Sequence, residues 1–229
     1  MVMQLDQVVP FGRSLDEYIK LFNLTPEDLQ KSILSVADGP ASVNAEGTRL
    51  GYRIKSIDPI YLFTAAQIKN QFDAVVDNII EQVEQTPEDW VWSYHPSPSG
   101  LRENRERAIQ LFCADYEQGK AQGRYEVGEL PDLSYGDREY DLGLSSHFLF
   151  LYSDHFDATF HYRSVCELLR VCQEVRIFPL ITLMLQPSPY LNGIIERLQE
   201  QGYHCEIQQV AYELQRGGNE MLKITRPKA

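Results

Sequence analysis

The hydrophobic positions of the chain change period several times, and each change marks an element. Leu15, Tyr18, Ile19 and Phe22 share one stripe at helical spacing behind Ser14, and Glu17 stands three residues on from Ser14, the capping-box arrangement. Thr25 opens a second short helix over TPEDLQKS, with Pro26 at its first position and acids in its first turn. A β-branched and apolar run from Ile33 to Val36 predicts a strand entering the small-residue turn Ala37-Asp38-Gly39-Pro40-Ala41. Ser42 to Leu50 predicts two or three helical turns stopped by Gly51, and a second apolar run from Ile54 to Ile57 ends on Asp58. Strand, tight turn, helix, strand and terminal acid make the first half of a nucleotide-binding βαβ unit.

Beyond it, Ile68, Phe72, Val76, Ile79, Ile80 and Val83 predict a long amphipathic helix. Trp90, Trp92, Tyr94 and His95 then form an aromatic loop ending in Pro96, Pro98 and Gly100, with a further helix from Leu101 to Gln118. Strands follow at Tyr125–Val127, Asp141–His147, Glu174–Phe178, His204–Val210 and Glu220–Ile224, separated by helices over 156–171 and from Pro189 to Gly202. A turn at Gly217-Gly218 joins the last two strands. Alternating strands and helices closed by an antiparallel hairpin predict an α/β, doubly wound sheet with a modified edge. No repeat and no linker divides the chain into two domains.

The 21 basic and 33 acidic side chains leave a net charge of −12. An acidic chain without a Lys/Arg cluster lacks the footprint of a general nucleic-acid binder and is repelled by anionic membranes. The most apolar stretch, Ile177 to Leu185, falls well short of the roughly 20 residues that span a bilayer and contains Pro179, so it reads as a buried strand and its exit. The opening MVMQLDQVVPFGR has neither a positive leader nor a full hydrophobic region, as a secretory signal would. Cys113, Cys166, Cys172 and Cys205 show no CxxC pairing and read as reduced, buried thiols. The expectation is a cytoplasmic protein with no metal, its oligomeric state open.

In the order of its motifs the chain resembles the class I S-adenosylmethionine-dependent methyltransferases. Ile33 to Ala41 is similar to that family's first motif, Ile54 to Asp58 to its second, and Gly128 to Tyr135 to its adenine-binding segment. Tyr140 to Leu144 resembles its fourth strand, and Leu168 to Val171 the helix end before the fifth. The resemblance implies a Rossmann-like seven-stranded sheet with the last strand antiparallel. Residues 1–32 are then an N-terminal helical extension, 33–229 the methyltransferase-like domain, and 66–124 a helical insertion after the second strand. It also implies S-adenosylmethionine as cofactor and a small-molecule acceptor. By position, Ala37, Asp38 and Gly39 would turn around the cofactor's amino-acid end, and Asp58 would accept from both ribose hydroxyls. Pro59 and Ile60 would pack on the adenine, Glu129 and Leu130 would bond it, and Ser145, Ser146 and His147 would lie by the methionine moiety. Arg13 would reach the cofactor carboxylate.

Two features depart from the family. The first-motif acid and three alternate glycines fall here on Ser35, Ala37, Gly39 and Ala41, so only one glycine remains and Asp38 would take the ammonium in place of the missing acid. Sixty-six residues separate Asp58 from Tyr125, where one helix would do; the surplus is either a lid over the crevice or packing on the side of the sheet. His147 is the candidate base, against packing under Phe148. Trp92 and Tyr94 form an aromatic wall for the acceptor or, more plainly, cover apolar surface between helices. Tyr152 stands in a crevice loop, and Arg216 and Asn219 flank the last turn, where an arginine either meets an acidic substrate or is solvated. The competing functions are a non-catalytic relative that binds the cofactor or a partner, and an NAD-type oxidoreductase.

Overall fold

A computed structural model describes residues 9–227. Seven strands form one sheet: β1 (Ser32–Val36), β2 (Arg53–Ile57), β3 (Tyr125–Glu126), β4 (Tyr140–Ser146), β5 (Cys172–Phe178), β6 (His204–Gln209) and β7 (Glu220–Thr225). Their order is β3-β2-β1-β4-β5-β7-β6, and β7 runs antiparallel to both β5 and β6. This is a doubly wound, Rossmann-like seven-stranded sheet with its last strand antiparallel, as the resemblance implies. The crossover reverses between β1 and β4, the switch point outside which open α/β sheets bind ligands.

Alternation along each strand divides the core. Ile33, Ile54, Leu142, Leu144 and Phe178 face one side, while Leu34, Val36, Ile57, Val175 and Ile177 face the other. The first side is covered by α1 (Leu15–Leu21), α2 (Val43–Arg49), α3 (Ala65–Gln85) and α4 (Pro98–Ala121), the second by α5 (Ala158–Val171) and α6 (Leu191–Glu200). Both strand and helix boundaries agree with the periodicity to within a few residues. The helix expected from Thr25 is an exception: only a 3-10 turn, Asp28–Gln30, forms there. Thr25 and Asp28 bond each other's backbone amides, and Asp28 is drawn to Arg176, which ends the turn before it can propagate.

The first side holds an unusual amount of buried polarity. Glu17 of α1 and Arg105 of α4 are both essentially inaccessible and pair bidentately at 2.7 Å through both carboxylate oxygens. Ser14 caps α1 by the expected box, so Glu17 Oε2 also accepts from the Ser14 amide. Tyr212, in the connection between β6 and β7, donates to Glu17 Oε1 at 3.1 Å, and His95 Nε2 lies 3.3 Å from the same oxygen. Four segments outside the sheet therefore meet on one carboxylate. Burial works against its charge, but Arg105 and His95 outweigh it and hold the Glu17 pKa well below the ordinary value.

Candidate functional site

Three adjoining cavities line the carboxyl ends of β1, β2 and β4. The first, about 370 Å³, is bounded by Asp58, Glu129, Leu130, Phe148, Phe156 and Phe160. A second, about 290 Å³, shares Ala37, Asp58 and Pro59 with it and continues past Gly39, Arg13 and His147. The third is smaller, about 70 Å³, and shares Arg13 and His147 with the second. Its walls come from the N-terminal segment (Phe11), α3 (Val83), the aromatic loop (Trp90) and the β6–β7 connection (Leu214).

Asp58 is positioned by the end of β2. One carboxylate oxygen accepts from the Ile60 amide at 2.8 Å and the other from the Gly39 amide at 2.9 Å, which locks its rotamer across the crevice. Burial lifts its pKa to about 6 despite these two bonds. The turn above it is strained: Ala37 has φ 57°, a left-handed value that an alanine adopts at a cost, and Gly39 follows at 54°. Gly12 is needed because a Cβ there would enter the Pro40 carbonyl, so the N-terminal segment lies directly on this turn. The Ser42 amide donates to the Arg13 carbonyl at 3.0 Å and pins the two together.

Asp38 borders the second cavity, but both of its carboxyl oxygens are already engaged. Its side chain turns toward β2, where Ser56 Oγ lies 2.9 Å and Tyr61 Oη 3.0 Å away. Tyr61 has one proton, and Gly39 O accepts it at 2.7 Å, so a protonated Asp38 supplies the hydrogen between the two side chains. Burial, then the neighbouring Asp58, pushes the Asp38 pKa up to about 8, in keeping with that arrangement. Ser35, at the position of the family's acid, is also inward and donates to Tyr18 Oη.

His147 stands at the junction of the second and third cavities in a left-handed conformation (φ 55°), with Nδ1 2.9 Å from Ser146 Oγ and its ring edge-on to Phe178. Burial, then Arg13 and Arg105, hold its pKa well below the usual histidine value, so it is neutral. Arg13 uses Nη1 on the Phe11 carbonyl, while its buried Nε has no partner. Ser145 Oγ is likewise buried and unpartnered. The fully packed Tyr152 lines the third cavity, and its hydroxyl bonds the Val9 backbone.

Other expected residues lie elsewhere. Ile60 borders the second cavity with Phe63 rather than the first with Glu129. Trp92 and Tyr94 pack on the first-side core, and the Tyr94 hydroxyl donates to Asp16 at 2.7 Å. Arg216 donates to the carbonyls of Glu88 and Trp90, and Asn219 to Glu213. Trp90 pairs with Gln215 as an isolated antiparallel bridge, so the aromatic loop and the C-terminal connection close one wall together. Helices α3 and α4 run side by side along the flank of the sheet, and their connecting loop supplies that wall. The sequence reading missed Arg105 and Glu17. Arg105 sits on the stripe of Leu101, Ile109 and Phe112, and a charge on a core-facing stripe was the available signal.

The cavities suit an adenosyl cofactor at one end. The first offers three phenylalanine rings and the Leu130 segment, surfaces that fit a flat base, and Asp58 stands at its edge as an acceptor held by two backbone amides. At the amino-acid end the fit is partial: Arg13 faces it, but neither Ser35 nor Asp38 offers a carboxylate to an ammonium.

Among known proteins, the uncharacterized protein MJ0045 of Methanocaldococcus jannaschii is 32% identical over 225 residues, covering 98% of this chain and 99% of that one. The chain belongs to the MJ0045 family. No protein-family model matches it. Similar solved structures include the magnesium protoporphyrin IX methyltransferase ChlM from Synechocystis PCC 6803 with bound S-adenosylmethionine (TM-score 0.49, 11% identity, 93% of this chain and 77% of that one). The methyltransferase domain of bacterial CtHen1 has TM-score 0.49 at 10% identity, covering 92% and 96% of the two chains. These are likenesses of fold; the strand order and polarity of the MJ0045 family member described above stand without them. No described helix is long and apolar enough to cross a membrane.

Proposed function

We propose that this protein is an S-adenosylmethionine-dependent methyltransferase acting on a small molecule. The observation that carries the reading is Asp58, locked by two backbone amides between an aromatic cavity and a second cavity that ends at His147. The cofactor supplies a methyl carbon already activated by a sulfonium. Phe148, Phe156, Phe160, Glu129 and Leu130 would hold the adenine, and Asp58 would accept from the ribose hydroxyls. Ala37, Gly39, Pro59 and Ile60 would enclose the chain toward the methionine moiety, with Ser146 beneath it and Ser145 buried behind the cavity wall. Arg13 and His147 would meet both cofactor and acceptor. Methyl transfer asks chiefly for alignment and exclusion of water, which the mostly apolar walls of the third cavity would favour.

The inward turn of Asp38 and the serine at position 35 favour a second reading, a relative that binds the cofactor weakly or without turnover. Calorimetry with S-adenosylmethionine, S-adenosylhomocysteine and NAD separates the readings. The methyltransferase reading expects both sulfur ligands to bind and NAD to give no heat. Silence from both sulfur ligands defeats it, and tight binding with no methylated product from any acceptor favours the second.

A further inference from the structure

The smallest cavity has a chemistry of its own. Its walls are mostly aliphatic and aromatic, no carboxylate lines it among the described residues, and Arg13 is the charged residue there. In a chain of net charge −12 such a lining is not the default. Among the described residues Arg13 spends one N–H on the Phe11 carbonyl, and its buried Nε has no partner. Glu17, the carboxylate buried in this region, is held by both guanidinium nitrogens of Arg105. With both Glu17 oxygens on Arg105, Arg13 has no carboxylate bonded to it among the described residues. Within a desolvated site an unpaired charge is costly, and an anion arriving there relieves it.

The same field makes His147 a weak base. Taking a proton would set an imidazolium between its own burial and the guanidinium of Arg13, so an acceptor that depends on His147 to be ionised is poorly served. Resting on the methyltransferase reading, we propose that this cavity takes a small organic anion, a carboxylate or comparably acidic oxyanion, as the methyl acceptor, with Arg13 as its counter-charge and His147 as a positioning group. The acceptor oxygen gives a lone pair to form the O–CH3 bond while the carbon–sulfur bond breaks and its electron pair remains on sulfur. An anion and a sulfonium become a neutral ester and a neutral thioether, so no proton has to be removed. Loss of charge along that path is favoured in an apolar, water-poor pocket. A volume of about 70 Å³ holds about two waters at their liquid share, so the reacting end of the acceptor is small. Arg13 has five N–H donors, enough to serve this anion and the cofactor carboxylate together.

Acetate, acetamide and acetamidinium share one planar shape and carry charges of −1, 0 and +1. NMR titrations at constant ionic strength would follow the His147 ring signals in the full chain saturated with S-adenosylhomocysteine. Acetate is expected to bind at least tenfold more tightly than acetamide, and acetamidinium not at all; Arg13→Gln should erase the preference. Equal binding of acetate and acetamide, binding of the cation, or no binding of acetate overturns the proposal. So does acetate binding that disappears once S-adenosylhomocysteine saturates the site, since Arg13 would then belong to the cofactor carboxylate alone. The wild-type comparison decides even if the variant fails to fold. A chain that binds no S-adenosylhomocysteine yet still prefers acetate would defeat the methyltransferase reading while leaving the anion site standing.

Discussion

The two ends of the crevice are built by different means. At the end bounded by Asp58 the sheet does the positioning: Asp58 and the strained Ala37 turn sit where parallel strands stop, and backbone amides fix the carboxylate. At the end beyond His147 the walls come from the N-terminal segment, the α3–α4 insertion and the β6–β7 connection, and a buried ion pair ties these parts together. A site at strand ends comes with the fold and is general to it. A pocket assembled from additions is particular to the chain, and its integrity depends on contacts far apart in sequence.

The contrast can be broken most forcefully at Glu17. Glu17→Ala leaves Arg105 buried and unpaired, and should cost about 3–5 kcal/mol in urea unfolding. Replacing both partners by methionine should recover much of that loss; equal destabilisation by the single and double changes would show that packing, not charge, joins the segments. At the other end, Asp58→Ala should cost about 2–3 kcal/mol in S-adenosylhomocysteine affinity by calorimetry, because two charge-assisted bonds disappear. Affinity for the same ligand should also fall as pH drops through about 6, where the free carboxyl becomes protonated. A smaller effect is expected at Asp38. Its pKa is raised in the fold to about 8, so its contribution to stability is fully present below the unfolded pKa and is lost as pH rises through about 8. Asp38→Asn keeps the bonding pattern, and its stability relative to wild type should rise across that range in unfolding curves taken at several pH values. Least of all, Arg216→Ala removes an exposed side chain bonded to two carbonyls and should cost under about 1 kcal/mol, measured the same way.

The comparison also explains what the sequence disclosed. The first end was legible because strand, turn, helix and terminal acid are local patterns, and Asp58, Pro59, Glu129 and Leu130 do border one cavity. Asp38 borders the second cavity, but its bonds to Ser56 and Tyr61, set by tertiary packing, were not legible from its place in the turn. The second end was nearly illegible. Glu17 looked like a helix cap, and it is one, yet both its oxygens also pair with Arg105 eighty-eight residues away. Tyr94 was read as an acceptor wall or a cover for apolar surface, and Arg216 as a substrate contact or a solvated residue; their bonds to Asp16 and to the Glu88 and Trp90 carbonyls were not foreseen. Spacing along a chain carries no information about partners that only the folded topology brings together.

The central claim is that an adenosyl cofactor lies along this crevice with its sulfur toward Arg13 and His147. A crystal structure of the protein with S-adenosylhomocysteine tests it most directly. The account predicts adenine among Phe148, Phe160 and Leu130, ribose hydroxyls on Asp58, and sulfur at the opening to the cavity beside His147. A ligand bound elsewhere, or one whose ribose leaves Asp58 untouched, would contradict it.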